Sequence, residues 1–169
     1  MIWTKGQRAL YFALRPLDLE TFLLSYSQIY KKGRIAGTAL FFTRETGVVP
    51  PYVVHCIIRS NIIYERNIFI SIVRTDEPFG VECNLKEGVG EGLDSFTIEA
   101  GYIEVIDIDA ILQSHAISGK VIFYGIEDIA TRNPFWRVFS VIKKLTPNFV
   151  QFNKLPASKL QGVVTRVEM

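Results

Sequence analysis

The sequence predicts an α/β fold of the mixed α+β kind. It has a central mixed sheet of about six strands with an antiparallel middle, flanked by helices. Helical and strand patterns alternate at both ends of the chain, in the order α-β-α-β-β-β-α-β-α-β. The run 67–73 is apolar on both faces, which places that strand centrally in the sheet. Residues 79–86 alternate between apolar and polar, as in a half-exposed antiparallel strand.

Composition indicates one folded domain with much apolar surface to bury. The 169 residues are 49% hydrophobic and 21% charged, which excludes disorder and suggests strands buried on both faces or a surface covered by a partner. The net charge of +2 is too balanced for a protein that binds nucleic acid by neutralising phosphates. The two cysteines form no CxxC motif, so we predict a reduced compartment and no metal site.

No apolar run reaches the length of about 18 residues that a membrane helix needs, and the first residues lack a signal peptide. The chain as given is therefore expected to be soluble and cytoplasmic. Basic residues are dense near its start: Lys5, Arg8, Arg15, Lys31, Lys32 and Arg34. They form either a solvated helix face and loop or a segment lying against an anionic cytoplasmic leaflet.

In the N-terminal third, residues 3–13 are predicted to be helical, and a second helix is capped by Asp18 and ended by Gly33. Apolar residues follow helical spacing in this second helix: Leu19, Phe22, Leu23, Tyr26, Ile29 and Tyr30. A short buried strand is predicted over 38–43, and a turn follows it.

The prolines Pro50 and Pro51 predict the start of a helix that continues to Ile62. Its apolar residues cover one half of the helical wheel. On its polar edge lie His55 and Arg59, which are four residues apart.

The glycines of Gly88–Gly92 predict a hairpin turn. A phosphate-binding loop is the weaker reading, because the Lys-Ser/Thr of a P-loop is missing and no helix follows. The strand predicted over 95–105 changes its apolar phase near Ala100 and Gly101, which suggests a β-bulge.

The last third predicts four further elements. Asp107 caps a short helix, and Lys120–Tyr124 forms a strand. A helix begins at Asn133 and Pro134, and Val163–Glu168 forms the last strand.

No set of residues indicates a reaction. The two histidines, His55 and His115, are sixty residues apart, and neither has a metal-ligand neighbour at motif spacing. Neither cysteine lies in a nucleophile motif, and capping of helices explains the carboxylates. We therefore predict no enzyme, no catalytic residue, no bound metal and no cofactor.

Two clusters are candidates for ligand binding. The first comprises His55, Arg59, Tyr64 and Arg66, since arginine and tyrosine together can stack on a base and hold a phosphate. The alternative to a ligand site is an ordinary ion pair between Glu65 and Arg66.

The second cluster is Tyr124-Gly125-Ile126-Glu127, at the predicted C-terminal end of a strand, where open α/β sheets usually place ligands. Its alternative is that Tyr124 is simply a partly buried aromatic residue.

A set of short motifs, in order over nearly the whole chain, resembles the C-terminal cytosolic domain of Kup/HAK/KT potassium transporters. The matching residues are Trp3-Thr4-Lys5-Gly6, Pro16-Leu17-Asp18, Phe22, Gly37-Thr38-Ala39, Val49-Pro50-Pro51, His55, Glu65, Arg66, Gly125, Glu127, Leu155-Pro156 and Val167-Glu168. The chain departs from the usual family residues at Ala36, Cys56, Arg59, Tyr64, Gly162 and Val164.

The resemblance implies a proton-coupled potassium importer whose transmembrane portion precedes Met1. Residues 1–15 would form a juxtamembrane helix, and residues 16–169 a single cytosolic regulatory domain. The family's properties further imply a homodimer and binding of cyclic di-AMP or another adenine nucleotide. Two other readings stay open: an independent cytoplasmic ligand-binding or adaptor protein, and an enzyme.

Overall fold

The computed structural model describes residues 4–5, 17–43, 47–130 and 159–168. The helices are α1 (Leu19–Lys32), α2 (Pro51–Val54, continued by a π-helical turn over His55–Arg59) and α3 (Ile108–Ser114). The strands are β1 (Leu17–Asp18), β2 (Ile35–Thr43), β3 (Val48–Val49), β4 (Tyr64–Thr75), β5 (Val81–Gly90), β6 (Leu93–Gly101), β7 (Val121–Ala130) and β8 (Leu160–Glu168). The predicted helix from residue 133 lies outside the described residues, as does most of the one over 3–13.

Six strands form one mixed sheet in the order β5-β6-β4-β2-β7-β8, and β1 pairs with β3 in a separate two-stranded ladder. Every neighbouring pair in the large sheet is parallel except β5 and β6. The predicted mixed α/β sheet is confirmed. Its antiparallel pair comes from the middle of the chain and lies at one side of the sheet.

The five parallel strands β2, β4, β6, β7 and β8 begin at the same side of the sheet, here called the amino edge, and end at the carboxyl edge. The crossover from β2 to β4 uses α2, and the crossover from β6 to β7 uses α3. Because β7 lies beside β2 on the side away from β4, the direction of strand addition reverses at β2. Such a reversal is a topological switch point.

Helix α1 begins and ends where the sequence predicts. The Asp18 carboxylate accepts a hydrogen bond from the backbone N–H of Thr21 at 3.0 Å, and Gly33 follows the last helical residue. Lys31 and Lys32 occupy the last turn, where positive charge interacts favourably with the helix dipole.

Helix α2 is shorter than predicted. It begins at Pro51, but its regular part ends at Val54 and a π-helical turn carries the chain to Arg59. The Ser60 N–H donates to the His55 carbonyl at 3.0 Å, which is the wider spacing of a π-turn. The predicted extension to Ile62 is wrong, because Asn61 adopts a left-handed φ of 54° that no helix continues.

The sheet separates two apolar cores. On the face covered by α1 and α2, here called the α1 face, the core contains Phe22, Tyr26, Phe41, Tyr52, Phe69 and Phe123. On the opposite face, here called the α3 face, the core contains Leu40, Ile68, Ile70, Phe96, Leu112 and Ile122. Burial on both faces explains the continuous apolar runs of the central strands.

The β5–β6 hairpin turns at Glu91 and Gly92, as the glycine pattern predicts. The predicted bulge near Ala100 is wrong: β6 stays in register up to Gly101, and the irregularity lies in β5 between Lys86 and Gly90. The apolar phase changes after Gly101 because the strand ends there and the chain turns away, leaving Ile103 54% exposed.

Strands β7 and β8 are both longer than predicted. β7 continues to Ala130 because β8 pairs with it in parallel from Ile122↔Leu160 to Ala130↔Glu168. Tyr124 and its neighbours therefore lie in the middle of β7 and not at its C-terminal end. The prediction of a ligand site at a strand end had assumed that β7 stops at residue 124.

Candidate functional site

His55 and Arg59 lie on the exposed side of the turn that ends α2, one helical turn apart. Tyr64 begins β4 shortly afterwards and is half-buried, with its ring 6.5 Å from the ring of Phe123. Tyr64 therefore lies on the α1 face, to whose core Phe123 belongs. Helix α2 and its π-helical turn, which carry His55 and Arg59, cover the same face.

Arg66 lies on the α3 face and pairs with Asp94. Its Nε donates to Asp94 Oδ2 at 2.9 Å, and the other carboxylate oxygen of Asp94 accepts from the Gly88 N–H at 3.0 Å. The alternative pairing with Glu65 is not formed, because neighbours in a strand point to opposite faces. The side chain of Arg66 remains 39% exposed.

Tyr124 is half-buried and, by alternation from Ile122, lies on the α3 face. The register puts Arg66 beside Thr38, whereas Phe123 lies beside Phe41. Tyr124 is thus about 13 Å from Arg66 along the strands and roughly 10 Å across them.

The structure therefore brings four of the five candidate residues around the amino end of β4 and leaves Tyr124 apart. The four are themselves divided by the sheet, with His55, Arg59 and Tyr64 on one face and Arg66 on the other. Whether any of them contacts a ligand stays a prediction.

The amino edge carries basic residues that the sequence analysis did not single out as a site. Lys32 and Arg34 flank the end of α1, Lys120 immediately precedes β7, and Lys159 immediately precedes β8. All four are exposed, and the guanidinium of Arg34 lies 4.6 Å from the centre of the Tyr30 ring. A basic residue directly before β2, β7 and β8 was visible in the sequence, but only the parallel strand order places these residues at one edge.

A cavity of about 260 Å³ opens at this edge on the α3 face. Its apolar wall is formed by Leu40, Leu112, Ile117 and Ile122. Asp109, Gln113 and Lys159 supply polar groups, and the Gln113 amide donates to Asp109 at 3.0 Å. An apolar wall with a few polar groups is the usual composition of a small-molecule pocket.

A buried polar network fixes the amino end of β4. The Asn67 side-chain amide donates to the Tyr26 hydroxyl at 3.0 Å and to the Tyr64 carbonyl at 2.8 Å, and its oxygen accepts from the Tyr64 N–H at 3.1 Å. The Tyr26 hydroxyl in turn donates to the Glu91 carbonyl at 2.8 Å. Burial raises the pKa of Tyr26, so this phenol stays neutral and can donate.

Among the described residues, neither cysteine is activated and no metal-ligand cluster is formed. Burial raises the pKa of the Cys56 thiol to about 11, and it raises the pKa of Cys83 as well. Both thiols are therefore protonated near neutral pH and are poor nucleophiles and ligands. In the parts of the chain that the structure describes, no three His, Cys, Asp or Glu side chains are grouped to hold a metal ion.

None of the described helices is both long and apolar enough to cross a membrane.

Comparison with known proteins decides the family. The family described as K+ potassium transporter C-terminal domain matches residues 36–169, which is most of the chain. The chain belongs to this family. The resemblance seen in the short motifs is thereby confirmed, and so is the prediction that this domain of a transport protein is not an enzyme.

Relatives of this K+ transporter C-terminal domain are similar over its full length. It is 79% identical to a probable potassium transport system protein Kup of Geotalea uraniireducens. Identity is 76% to Kup 1 of Geobacter metallireducens and 51% to Kup of Methanosarcina acetivorans, each called a probable potassium transport system protein. In each case all of this chain is covered, together with 28% of the relative. No solved structure matches the domain.

Proposed function

We propose that the whole protein is a proton-coupled potassium importer and that this chain is its regulatory domain on the cytoplasmic face of the membrane. The family match and the names of the relatives support this proposal. The chain corresponds to 28% of the length of the relatives, which leaves room for a transmembrane portion that carries the ion. On its own the domain does not transport potassium.

Potassium uptake by cells tests this part of the proposal. The full-length transporter is expressed in a strain that lacks its own potassium uptake systems, and growth is followed at limiting external potassium. Rescue that is abolished by a protonophore supports proton-coupled import. Absence of rescue by a protein shown to be present in the membrane would contradict it.

The regulatory role rests on one observation, the cluster of exposed basic side chains at the amino edge. Arg59, Lys120 and Lys159 are exposed there, and the Arg66 side chain is 39% exposed. The edge also carries acidic groups: Asp94 pairs with Arg66, Glu91 lies 4.0 Å from Lys31, Glu65 is exposed, and Asp109 lines the same cavity as Lys159. They neutralise the edge only in part. A dianionic nucleotide with two bases suits such a surface, because guanidinium groups hold phosphate and stack on bases.

The proposed ligand is cyclic di-AMP or another adenine nucleotide. His55, Arg59, Tyr64 and Arg66 would contact it at the amino end of β4, and Tyr124 would take part only in a second contact on the α3 face. A ligand can regulate transport only if it binds two states of the transporter with different affinities. The domain would therefore have to change its contacts with the transmembrane portion when the ligand binds.

Calorimetric titration of the domain with cyclic di-AMP, with ATP and AMP as controls, tests the ligand. We expect micromolar or tighter binding of cyclic di-AMP that weakens about tenfold when salt is raised from 50 to 200 mM, since phosphate contacts are screened. Arg59→Ala and Lys120→Ala should each weaken binding, whereas the charge-conserving Arg59→Lys and Lys120→Arg should weaken it less. If none of the three nucleotides binds, the nucleotide proposal fails.

A homodimer is proposed through the side of β8 that pairs with no other described strand. Within the described sheet β8 is an outer strand, and its segment 161–164 carries no charge, with Val164 62% exposed. The opposite outer strand, β5, carries Glu82, Lys86 and Glu87, which discourage strand pairing. Pairing of two β8 strands would extend the sheet across a twofold axis.

Light scattering at high micromolar concentration tests the homodimer. We expect a dimeric mass that becomes monomeric in Val164→Lys and stays dimeric in the control Leu24→Lys, where the native side chain is 73% exposed on α1. A monomeric mass for the unmodified domain would count against the proposal.

A further inference from the structure

Four large apolar side chains project into solvent at the carboxyl edge, and we call them the apolar tip. They are Phe79, Tyr102, Ile103 and Val105, with exposed fractions of 67%, 60%, 54% and 74%. Phe79 lies in the turn that follows β4, and the other three follow β6. Large apolar side chains exposed together at one edge of a domain are a candidate interaction site.

The backbone that carries the apolar tip is held by hydrogen bonds, so its exposure does not come from a frayed loop. The N–H groups of Tyr102 and Ile103 donate to the carbonyls of Glu77 and Pro78 at 2.9 and 3.0 Å. Arg74 Nη1 lies 2.9 Å from the Gly101 carbonyl oxygen and 2.8 Å from that of Glu104. Two turns are thus joined into one ordered projection.

The apolar tip extends beyond the carboxyl end of β2. The pairing of β2 with β4 ends at Ser71, whereas the pairing of β4 with β6 continues to Thr75↔Gly101. These four further residues carry the tip about 13 Å past the end of β2. It is therefore well placed to contact a body lying against the carboxyl edge.

The same edge receives the start of α1. The N–H of Leu19 donates to the carbonyl of Gly47 at 3.1 Å, and Gly47 precedes β3, which follows the carboxyl end of β2. The other end of α1 lies at the amino edge, since Lys32 is followed closely by β2. The described part of β1, which begins at Leu17, therefore lies on the side of the sheet on which the apolar tip projects.

The charge around the apolar tip distinguishes between possible partners. Asp76, Glu77 and Asp107 are exposed beside it and Glu104 is half-buried, whereas the nearby Arg74 is engaged with two carbonyls. An anionic lipid surface would be repelled by these carboxylates. Cytoplasmic loops of membrane proteins, in contrast, carry an excess of lysine and arginine.

We propose that the apolar tip docks against the basic cytoplasmic loops of the transmembrane portion of the same transporter. The apolar side chains would be buried at the centre of this contact, and the surrounding carboxylates would face lysine and arginine side chains. This inference rests on the proposed function, since it requires a transmembrane portion. The apolar tip would then be the surface through which a change in the domain is transmitted to the transmembrane portion.

Site-specific photo-crosslinking in the full-length transporter tests the docking. The photoreactive residue p-benzoylphenylalanine replaces Tyr102 or Val105, with Leu24 on α1 as the matched exposed control. After illumination of native membranes and digestion, mass spectrometry identifies the crosslinked peptides. We expect peptides from the cytoplasmic loops at both tip positions and none above background at position 24.

Three results would overturn the docking. They are crosslinks to lipid alone, crosslinks only to a C-terminal domain of another copy, and crosslinking yields at positions 102 and 105 that are no higher than at position 24. A charge variant gives a second measure. Val105→Lys, which places a like charge against the basic loops, should lower the loop crosslink from position 102 at least fivefold, and Leu24→Lys should not change it. Both native side chains are exposed, so the domain should stay folded.

The crosslinking result does not depend on potassium uptake or nucleotide binding. If the loops crosslink but the cells show no uptake, the docking stands and the proposed transport function fails. If uptake is normal but the tip does not crosslink to the loops, the docking fails and the proposed function stands.

Discussion

The backbone of Gly125 in β7 packs directly against the ring of Tyr52 in α2. A Cβ atom at residue 125 would lie 2.7 Å from Tyr52 Cδ1, closer than packed atoms approach. The Tyr52 hydroxyl donates to the Phe42 carbonyl in β2 and lies 3.2 Å from the Phe123 carbonyl in β7. Tyr52 thus joins β2 and β7 near the switch point of the sheet, and Gly125 provides the space for its ring.

Gly125→Ala should destabilise the domain. The new methyl group would have to displace a ring that is 5% exposed and hydrogen-bonded, and overpacking of this kind typically costs about 1–3 kcal/mol. The free energy of unfolding in urea measures the effect. The matched control is Gly33→Ala, since Gly33 has no atom near its Cβ position and a φ of 170° that alanine also adopts. Equal stability of the two variants would contradict this account of Gly125.

Tyr52→Phe tests the hydroxyl separately from the ring. The ring would keep its packing, but the carbonyls of Phe42 and Phe123 would lose the phenol, and loss of a buried partner costs roughly 1–3 kcal/mol. The control Tyr102→Phe removes a hydroxyl from a residue that is 60% exposed and should change stability by less than about 0.5 kcal/mol. Chemical denaturation of both variants under the same conditions gives the comparison.

Asn67→Ala should destabilise the domain more than the same substitution at an exposed asparagine. Asn67 is fully buried, and its side chain bonds the Tyr26 hydroxyl and both backbone groups of Tyr64. Without the Asn67 side chain these groups lose their hydrogen-bond partner, which should lower the free energy of unfolding by at least about 2 kcal/mol. Asn84→Ala on the exposed side of β5 is the control, with little change expected. Hydrogen exchange should also show faster opening at residues 64–67, and unchanged protection there would refute the role assigned to Asn67.

The domain should lose stability as the pH rises above about 9. Burial raises the pKa of Cys56 to about 11 from an ordinary value of 9.0, and it raises the pKa values of Tyr26 and Tyr52 as well. The unfolded chain therefore releases these protons first, so the stabilising contribution is complete below pH 9 and is lost as the pH passes the folded pKa values. Each group adds a slope of at most about 1.4 kcal/mol per pH unit.

Urea unfolding between pH 8 and 11 measures this slope. Cys56→Val removes one titrating group at similar side-chain volume, so its stability should fall less steeply with pH than that of the unmodified domain. Stability that rises over this range would contradict the proposed burial of the three groups.

The local elements and the family could be predicted from the order of residues along the chain. Asp18 and Asp107 cap helices, Pro51 begins one, and the glycines after residue 87 turn a hairpin. These features depend on chain conformation within a few residues, where side-chain type decides the outcome. The two-sided apolar run of β4 likewise predicted its central place, because a strand covered on both faces needs apolar residues on both.

Which distant residues lie side by side could not be predicted in this way. The partner of Arg66 is Asp94, Lys120 and Lys159 share the amino edge with Arg59, and Tyr124 lies apart from all of them. Each of these relations depends on strand order and register, which are set by long-range packing and not by the residues adjacent in sequence. The apolar tip was missed for the same reason: Ile103 and Val105 have the residue types of a buried strand, and only the end of β6 at Gly101 places them in solvent.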